Sequence, residues 1–125
     1  MDNVFQEVLN TVIEYLPENW ERVAIYFARV NSMIDFNYYV DDGKGYESAY
    51  TRKEYNSDDY NELTLDINDL LMAERDKLPK KKQWSVFTMF VQSSGKFKVD
   101  YSYDNISKTF LEYKEKWEQE HIINK

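Results

Sequence analysis

The sequence predicts a single α+β domain in which an antiparallel sheet of about five strands carries helices mainly on one face. Helical apolar spacing occurs in three segments and strand-like patterns occur in five, in the order α-β-β-β-α-β-β-α. Turn-forming residues separate neighbouring strands. A chain of 125 residues suits one domain, spanning 1–125, that buries a core without disulfides.

The N-terminal segment predicts a helix from Asp2 to Leu16. Seven apolar side chains fall on one stripe of this helix, and Pro17 follows directly. The helix ends there because the residue before a proline avoids the α-helical region. Burial of each apolar side chain is worth about 1.5–3 kcal/mol before entropy is counted, so we expect the helix to pack on the core.

Residues 20–50 predict a three-stranded antiparallel meander. Two alternating strands meet at a short turn formed by Asn31 and Ser32. In the second strand the alternation directs Tyr39 outward, away from the core. A turn of sequence DDGKG at 41–45 leads into a third, more polar strand, which we expect at an edge of the sheet.

An acidic central helix is predicted to end before Pro79. Ser57, Asp58 or Asp59 is expected to cap it, and Asp59 with Glu62 has the spacing of a capping box. Acidic residues in this first turn also complement the helix dipole. Most of the acidic side chains of this helix lie off its apolar stripe, which predicts a charged, solvent-facing side.

Residues 84–104 predict a β-hairpin that turns at Gly95. Its first strand is apolar on both faces, which is typical of a central strand covered from both sides. Its second strand alternates strictly and predicts one buried face. Apolar residues at spacings of four, three and four from Ile106 to Trp117 then predict a final helix that reaches about His121.

The composition excludes several kinds of site. The absence of cysteine rules out disulfides, cysteine zinc sites and cysteine nucleophiles, and three glycines provide no phosphate-binding loop. His121 lies near the chain end, where a rigid imidazole is not expected. We therefore predict no catalytic residue, no metal and no cofactor. With no apolar run of about 18 residues and no signal-peptide pattern at the start, the chain is expected to be cytoplasmic.

Charge is distributed unevenly along this acidic chain. Residues 35–76 contain twelve acidic and four basic side chains, a net charge of −8, whereas residues 77–125 carry +4. An acidic chain repels phosphate backbones, so direct nucleic-acid binding is not expected. The acidic middle would instead attract a basic protein, and its many tyrosines would supply contact area. A merely solvated acidic face, with tyrosine as an ordinary strand residue, is the alternative.

Three segments occur in a characteristic order, namely LPENWERV at 16–23 after an apolar helix, the acidic helix at 60–78, and a strand from Trp84 leading into SGKFKVDYSYD at 94–104. Together they resemble the YezG/EsaG-like antitoxin family. The resemblance covers about residues 4–104. It implies a cytoplasmic protein that binds and neutralises a nuclease toxin exported by a type VII secretion system. It also implies that the chain is not an enzyme and needs no cofactor.

The resemblance and the charge distribution together predict a partner-binding set. A nuclease presents a basic surface to its substrate, so acidic side chains would steer it and tyrosines would anchor it. The predicted residues are Tyr39, Asp41, Asp42, Tyr46, Tyr55, Asp58, Asp59, Glu62, Asp66 and Asp69.

Two other functions are compatible with the sequence. A non-catalytic adaptor or chaperone-like module for a secreted partner would share the acidic, cofactor-free profile. A small acid–base enzyme would use two carboxylates, of which one must be buried with a perturbed pKa. Rescue from a toxin would distinguish an antitoxin from an adaptor, and a pocket around an Asp or Glu would favour the enzyme.

Overall fold

The structure is a computed structural model that describes residues 3–125, in which one five-stranded antiparallel sheet is combined with three α-helices. The order of elements confirms the predicted α+β fold. The predicted start of the first helix, Asp2, lies outside the described residues. The elements are α1 (Asn3–Ile13), β1 (Arg22–Val30), β2 (Met33–Asp41), β3 (Tyr46–Ser48), α2 (Ser57–Arg75), β4 (Val86–Gln92), β5 (Phe97–Ser102) and α3 (Phe110–His121).

The strands lie in the order β3-β2-β1-β4-β5, and each neighbouring pair is antiparallel. The β1–β2 hairpin closes at Asn31, whose φ of 56° lies in the left-handed region that asparagine tolerates. The chain then leaves the β3 edge, passes through α2 and returns as β4 beside β1. β2, β1 and β4 are therefore inner strands, whereas β3 and β5 form the two edges.

Helices α1 and α2 cover the first face of the sheet. Val8 and Val12 of α1 and Leu63 and Ile67 of α2 are fully buried in one apolar cluster with the strands. This cluster is the larger of two cores in the described residues, and it corresponds to the apolar stripes that the sequence predicts. The strands contribute Val23, Ile25, Phe27, Phe36, Tyr38, Val40, Phe87, Met89 and Val91 to it.

Helix α3 covers the opposite face of the sheet and forms a second core. Trp117 is buried there, with its ring centroid 4.9 Å from that of Tyr26 and 5.5 Å from that of Tyr39. Ala24 and Ala28 of β1 belong to the same cluster, and their small side chains leave room for the indole. Two helices on the first face and one on the second confirm the prediction of helices mainly on one face.

The outward orientation predicted for Tyr39 is wrong. Tyr39 is 1% exposed, and its hydroxyl donates a hydrogen bond to the Glu118 carboxylate at 2.7 Å. Burial, followed by this hydrogen bond, raises the pKa of Tyr39. An ion pair of 2.9 Å between Lys114 and Asp35 also ties α3 to β2. The prediction failed because it treated only one face of β2 as covered.

Helix α2 is capped by Asn56, which is not one of the three residues predicted to do so. Its side-chain oxygen accepts hydrogen bonds from the backbone N–H groups of Asp58 (3.0 Å) and Asp59 (3.1 Å). The capping box predicted between Asp59 and Glu62 is therefore wrong. Asparagine and aspartate have similar preference for this position, so a run of cap-forming residues does not show where a helix begins.

Asp41, at the end of β2, holds the turn into β3. One carboxylate oxygen accepts from the backbone N–H groups of Gly43 (2.8 Å) and Gly45 (3.0 Å), and the other pairs with Arg22 Nε at 2.7 Å. Both glycines have positive φ, which a side chain would strain. Burial opposes ionisation of Asp41, but Arg22 and the two N–H donors outweigh it and lower its pKa.

Asp41→Asn is expected to lower the free energy of unfolding by about 1–3 kcal/mol near neutral pH, because a neutral amide forms no ion pair with the Arg22 guanidinium. Urea unfolding of both proteins across a pH series measures this. The folded-state pKa is lowered, so the difference is complete above the unfolded-state pKa of about 3.9 and disappears as the pH falls through the folded value. A difference that does not change with pH would contradict this role for the charge.

Trp117→Ala is expected to lower the free energy of unfolding by about 3–5 kcal/mol, because it empties the centre of the second core. Leu111→Ala on the same helix is the matched control, since Leu111 is 65% exposed and its loss should change stability by less than about 0.5 kcal/mol. Chemical denaturation of the two variants provides the comparison. Equal losses would show that α3 does not depend on Trp117.

Candidate partner-binding surface

The acidic residues of α2 form a stripe along its outer side. Five carboxylates, at spacings of one, three, four and three residues, lie within about 100° of arc around the helix axis. All five residues are exposed, and none forms an ion pair with another residue in the range 3–125. We refer to this set as the acidic stripe. Its members are Asp58, Asp59, Glu62, Asp66 and Asp69.

The electrostatic field of the acidic stripe reaches the turn that follows α1. Burial raises the pKa of the Tyr15 phenol, and the carboxylates of Glu62 and Asp59 raise it further. The effect arises because deprotonation would place a second negative charge near these groups. Glu14 adds to the same effect. The carboxylate of Glu14 therefore adds to the negative charge of α2 at the turn that follows α1.

A cluster of tyrosines adjoins the N-terminus of α2. The ring centroids of Tyr50, Tyr55 and Tyr60 lie 4.8–5.6 Å from one another. Tyr60 is buried and donates its hydroxyl to the backbone carbonyl of Phe36, whereas Tyr50 and Tyr55 are 51% and 39% exposed. A fixed, buried ring thus supports two exposed rings, Tyr50 and Tyr55, which we name the exposed tyrosine pair.

A small cleft joins the exposed tyrosine pair to the acidic stripe. Tyr55 and Asp59 both line it, together with Tyr15 and Glu54. Tyr38 also lines it, and burial, followed by the charge of Glu54, raises the pKa of Tyr38 to about 12. Aromatic rings beside carboxylates favour a lysine or arginine side chain, because the cation is attracted to both kinds of group.

Asp42, another predicted steering residue, has its charge compensated within the chain. Arg52, whose side chain is 9% exposed, donates to Asp42 at 3.1 Å, to Glu54 at 2.8 Å and to Glu47 at 3.4 Å. The hydrogen bond to Glu54 is the largest of the effects that raise the pKa of Arg52. This network fastens the connector between β3 and α2 to the end of β2.

Three more predicted residues lie apart from the acidic stripe. Asp41 is 6% exposed and is occupied by Arg22 and the turn. Tyr46 is half-buried, with the Arg22 guanidinium 4.1 Å from its ring centroid. Tyr39 lies beneath α3. Of the ten predicted residues, the structure thus brings together Tyr55 and the five members of the acidic stripe.

Sequence reasoning did not include Tyr50, Tyr15 or Glu54 in the site. The alternation predicts Tyr50 within an edge strand, but β3 ends at Ser48 and the residues Ala49–Thr51 form a 3₁₀ turn. This turn places Tyr50 beside Tyr55 instead of in the sheet. Tyr50 and Tyr55 in an otherwise polar connector were the sequence signal for this part of the site, because aromatic residues are uncommon in a fully solvated loop.

A basic cavity of about 460 Å³ lies on the α3 face of the sheet. Arg22, Lys96 and Lys98 line it, with His121 at one side. The His121 ring centroid lies 5.2 Å from that of Phe90, so the imidazole packs on the second core. This cavity therefore lies on the α3 face, whereas the acidic stripe belongs to the face covered by α1 and α2.

No three histidine, aspartate or glutamate side chains in residues 3–125 lie close enough together to hold a metal ion. None of the helices described there is both long enough and apolar enough to cross a bilayer.

Comparison with known proteins gives the family. The family model described as "Immunity protein YezG-like" matches residues 1–124. The protein named Immunity protein YezG of Bacillus spizizenii is 21% identical over 113 residues, which cover 85% of this chain and 70% of that protein. These matches confirm the resemblance found in residues 4–104 and extend it over nearly the whole chain. The chain belongs to the YezG-like immunity protein family.

Proposed function

We propose that this chain is a non-catalytic, cytoplasmic immunity protein that binds and neutralises a nuclease toxin exported by a type VII secretion system. Membership of the YezG-like family supports the immunity role. The assignment of the contact surface rests on one observation: the acidic stripe lies beside the exposed tyrosine pair. A nuclease must present a basic surface to the phosphates of its substrate, and the acidic stripe is complementary to such a surface in charge.

The acidic stripe is suited to steering the toxin. Its five carboxylates project from one side of a rigid helix, and no described residue neutralises them. Exposed ion pairs contribute little affinity each, whereas a concentrated field raises the rate of encounter. The stripe therefore acts mainly on association and becomes weaker as salt screens it.

The exposed tyrosine pair is suited to anchoring the toxin once it arrives. Tyr50 and Tyr55 rest against buried Tyr60, so little rotamer freedom remains to be lost on binding. Tyrosine is common among the residues that dominate interface energies. A basic side chain of the toxin would lie at the mouth of this small cleft, against Tyr55 and Asp59, where ring and carboxylate both attract it.

The function is tested with the purified chain and the nuclease domain of its cognate toxin. We expect nuclease activity to fall stoichiometrically as the chain is added, and co-expression to restore growth of cells that produce the toxin. Binding without loss of nuclease activity and without rescue would contradict the proposal and favour the adaptor or chaperone-like alternative. Turnover of a substrate by the chain alone would favour the enzyme.

Glu62→Gln/Asp66→Asn is expected to slow association with the toxin by about threefold to tenfold at low salt, because it removes charge from the centre of the acidic stripe. Stopped-flow measurements over a range of salt concentrations should also show a shallower salt dependence. Glu112→Gln/Glu115→Gln on α3 is the control, since both residues are exposed and the change in net charge is identical. Equal slowing by both pairs would assign the effect to net charge alone.

Tyr55→Ala is expected to weaken toxin binding by about tenfold or more, through faster dissociation, because it removes an anchor from the cleft. Tyr103→Ala provides a matched control at an exposed tyrosine near the other sheet edge. Tyr39→Phe should leave affinity unchanged but lower stability by about 1 kcal/mol through loss of its bond to Glu118. Surface plasmon resonance and urea unfolding separate these effects. Stronger loss of binding in Tyr39→Phe than in Tyr55→Ala would overturn this assignment.

A further inference from the structure

The β5 edge of the sheet is long, regular and apolar on one face. β5 pairs with β4 over six residues without a bulge, and no other strand in residues 3–125 pairs with β5. Phe97 and Tyr101 on this strand are each 41% exposed. Proteins usually shorten, bulge or charge such edges to prevent pairing with other strands. The β3 edge follows this rule with only three residues, whereas β5 is six residues long and its only charged side chains, Lys98 and Asp100, are of opposite sign and lie 3.3 Å apart.

The direction of the β5 backbone groups follows from its pairing with β4. The Gln92 N–H donates to the Lys96 carbonyl, and the Ser85 N–H donates to the Ser102 carbonyl. Because backbone groups alternate between the two sides of a strand, the even-numbered residues of β5 bond toward β4. The backbone N–H and C=O groups of Phe97 and Val99 therefore point away from the sheet, where a further strand would bond.

The β5 sequence is complementary to itself in one antiparallel register. When two copies pair about Val99, Lys98 lies opposite Asp100 of the second copy, and Phe97 lies opposite Tyr101 of the second copy. Opposite charges and aromatic pairs directly across a ladder are both stabilising. A shift of two residues in either direction would place Lys98 opposite Lys98 or Asp100 opposite Asp100. Charge therefore favours the register centred on Val99 over its nearest alternatives.

We propose that two copies of this chain associate through antiparallel pairing of their β5 strands about Val99, which joins two five-stranded sheets into one. The occupant of this edge is a second copy because β5, when it meets itself in this register, places opposite charges and aromatic rings directly across the ladder. The exposed tyrosine pair follows β3, at the opposite edge of the sheet, so a dimer leaves it uncovered. The proposal is therefore independent of toxin binding.

The dimer is tested by analytical ultracentrifugation of the full chain over a wide range of concentrations. Lys98→Asp places two carboxylates opposite each other at two symmetric positions, and Asp100→Lys does the same with two ammonium groups. Each single variant is expected to raise the dimer dissociation constant by at least about tenfold. The double variant Lys98→Asp/Asp100→Lys should restore association, because it exchanges the two charges and keeps the net charge of the original chain.

Two further variants make the outcome decisive. Lys116→Asp changes the net charge by the same amount as Lys98→Asp, but at an exposed side chain of α3, so it should leave association unchanged. Val99→Pro should abolish association and still fold, because its lost N–H points away from β4 and proline is tolerated on edge strands. Circular dichroism verifies the fold. A chain that stays monomeric at every concentration, or a dimer that the double variant does not restore, would overturn the proposal.

Discussion

The structure depends on the burial of its three inner strands, β2, β1 and β4, on both faces. Val23, Ile25 and Phe27 of β1 face α1 and α2, while Ala24 and Tyr26 face α3. An inner strand that is apolar on both sides requires a layer of helices above and below it, because an exposed apolar face would drive aggregation. The three helices described here meet that requirement. What remains for binding a partner is the outer side of each helix, the connectors and the sheet edges.

This constraint also separates two kinds of acidic residue that look alike in the sequence. Asp41 and Asp42 lie where strands and connectors converge, so buried or half-buried arginines are close enough to pair with them. The acidic stripe lies on the side of α2 opposite its buried side chains, where no basic residue of the described chain approaches. Part of the negative charge in residues 35–76, where the net charge is −8, is therefore used in ion pairs within the fold. Only the share on α2 is available to attract a partner.

The sequence predicted the type and order of every helix and every main strand, because period and turn chemistry are local signals. Strand order is a different matter, since nothing local shows that β4 returns beside β1. The second core escaped prediction for a related reason. A strand face of Ala24, Tyr26 and Ala28 resembles a mildly polar surface until the apolar stripe of α3 has to be placed somewhere. Tyr39 was misplaced for this reason, whereas the acidic stripe was correctly placed because its helix period alone defines its exposed side.

The distribution of charge along α2 and the segment that follows it gives the encounter with a toxin a preferred direction. The acidic stripe attracts a basic surface, whereas Lys77, Lys80, Lys81 and Lys82 after the C-terminal end of α2 repel it. A basic protein approaching along the field would therefore meet α2 first, next to the rings of Tyr50 and Tyr55. Orientation during approach matters because random collisions seldom bring two specific patches together. On this argument Lys77, Lys80, Lys81 and Lys82, which account for the net +4 of residues 77–125, contribute to binding without contacting the toxin, since they disfavour approach to the C-terminal end of α2.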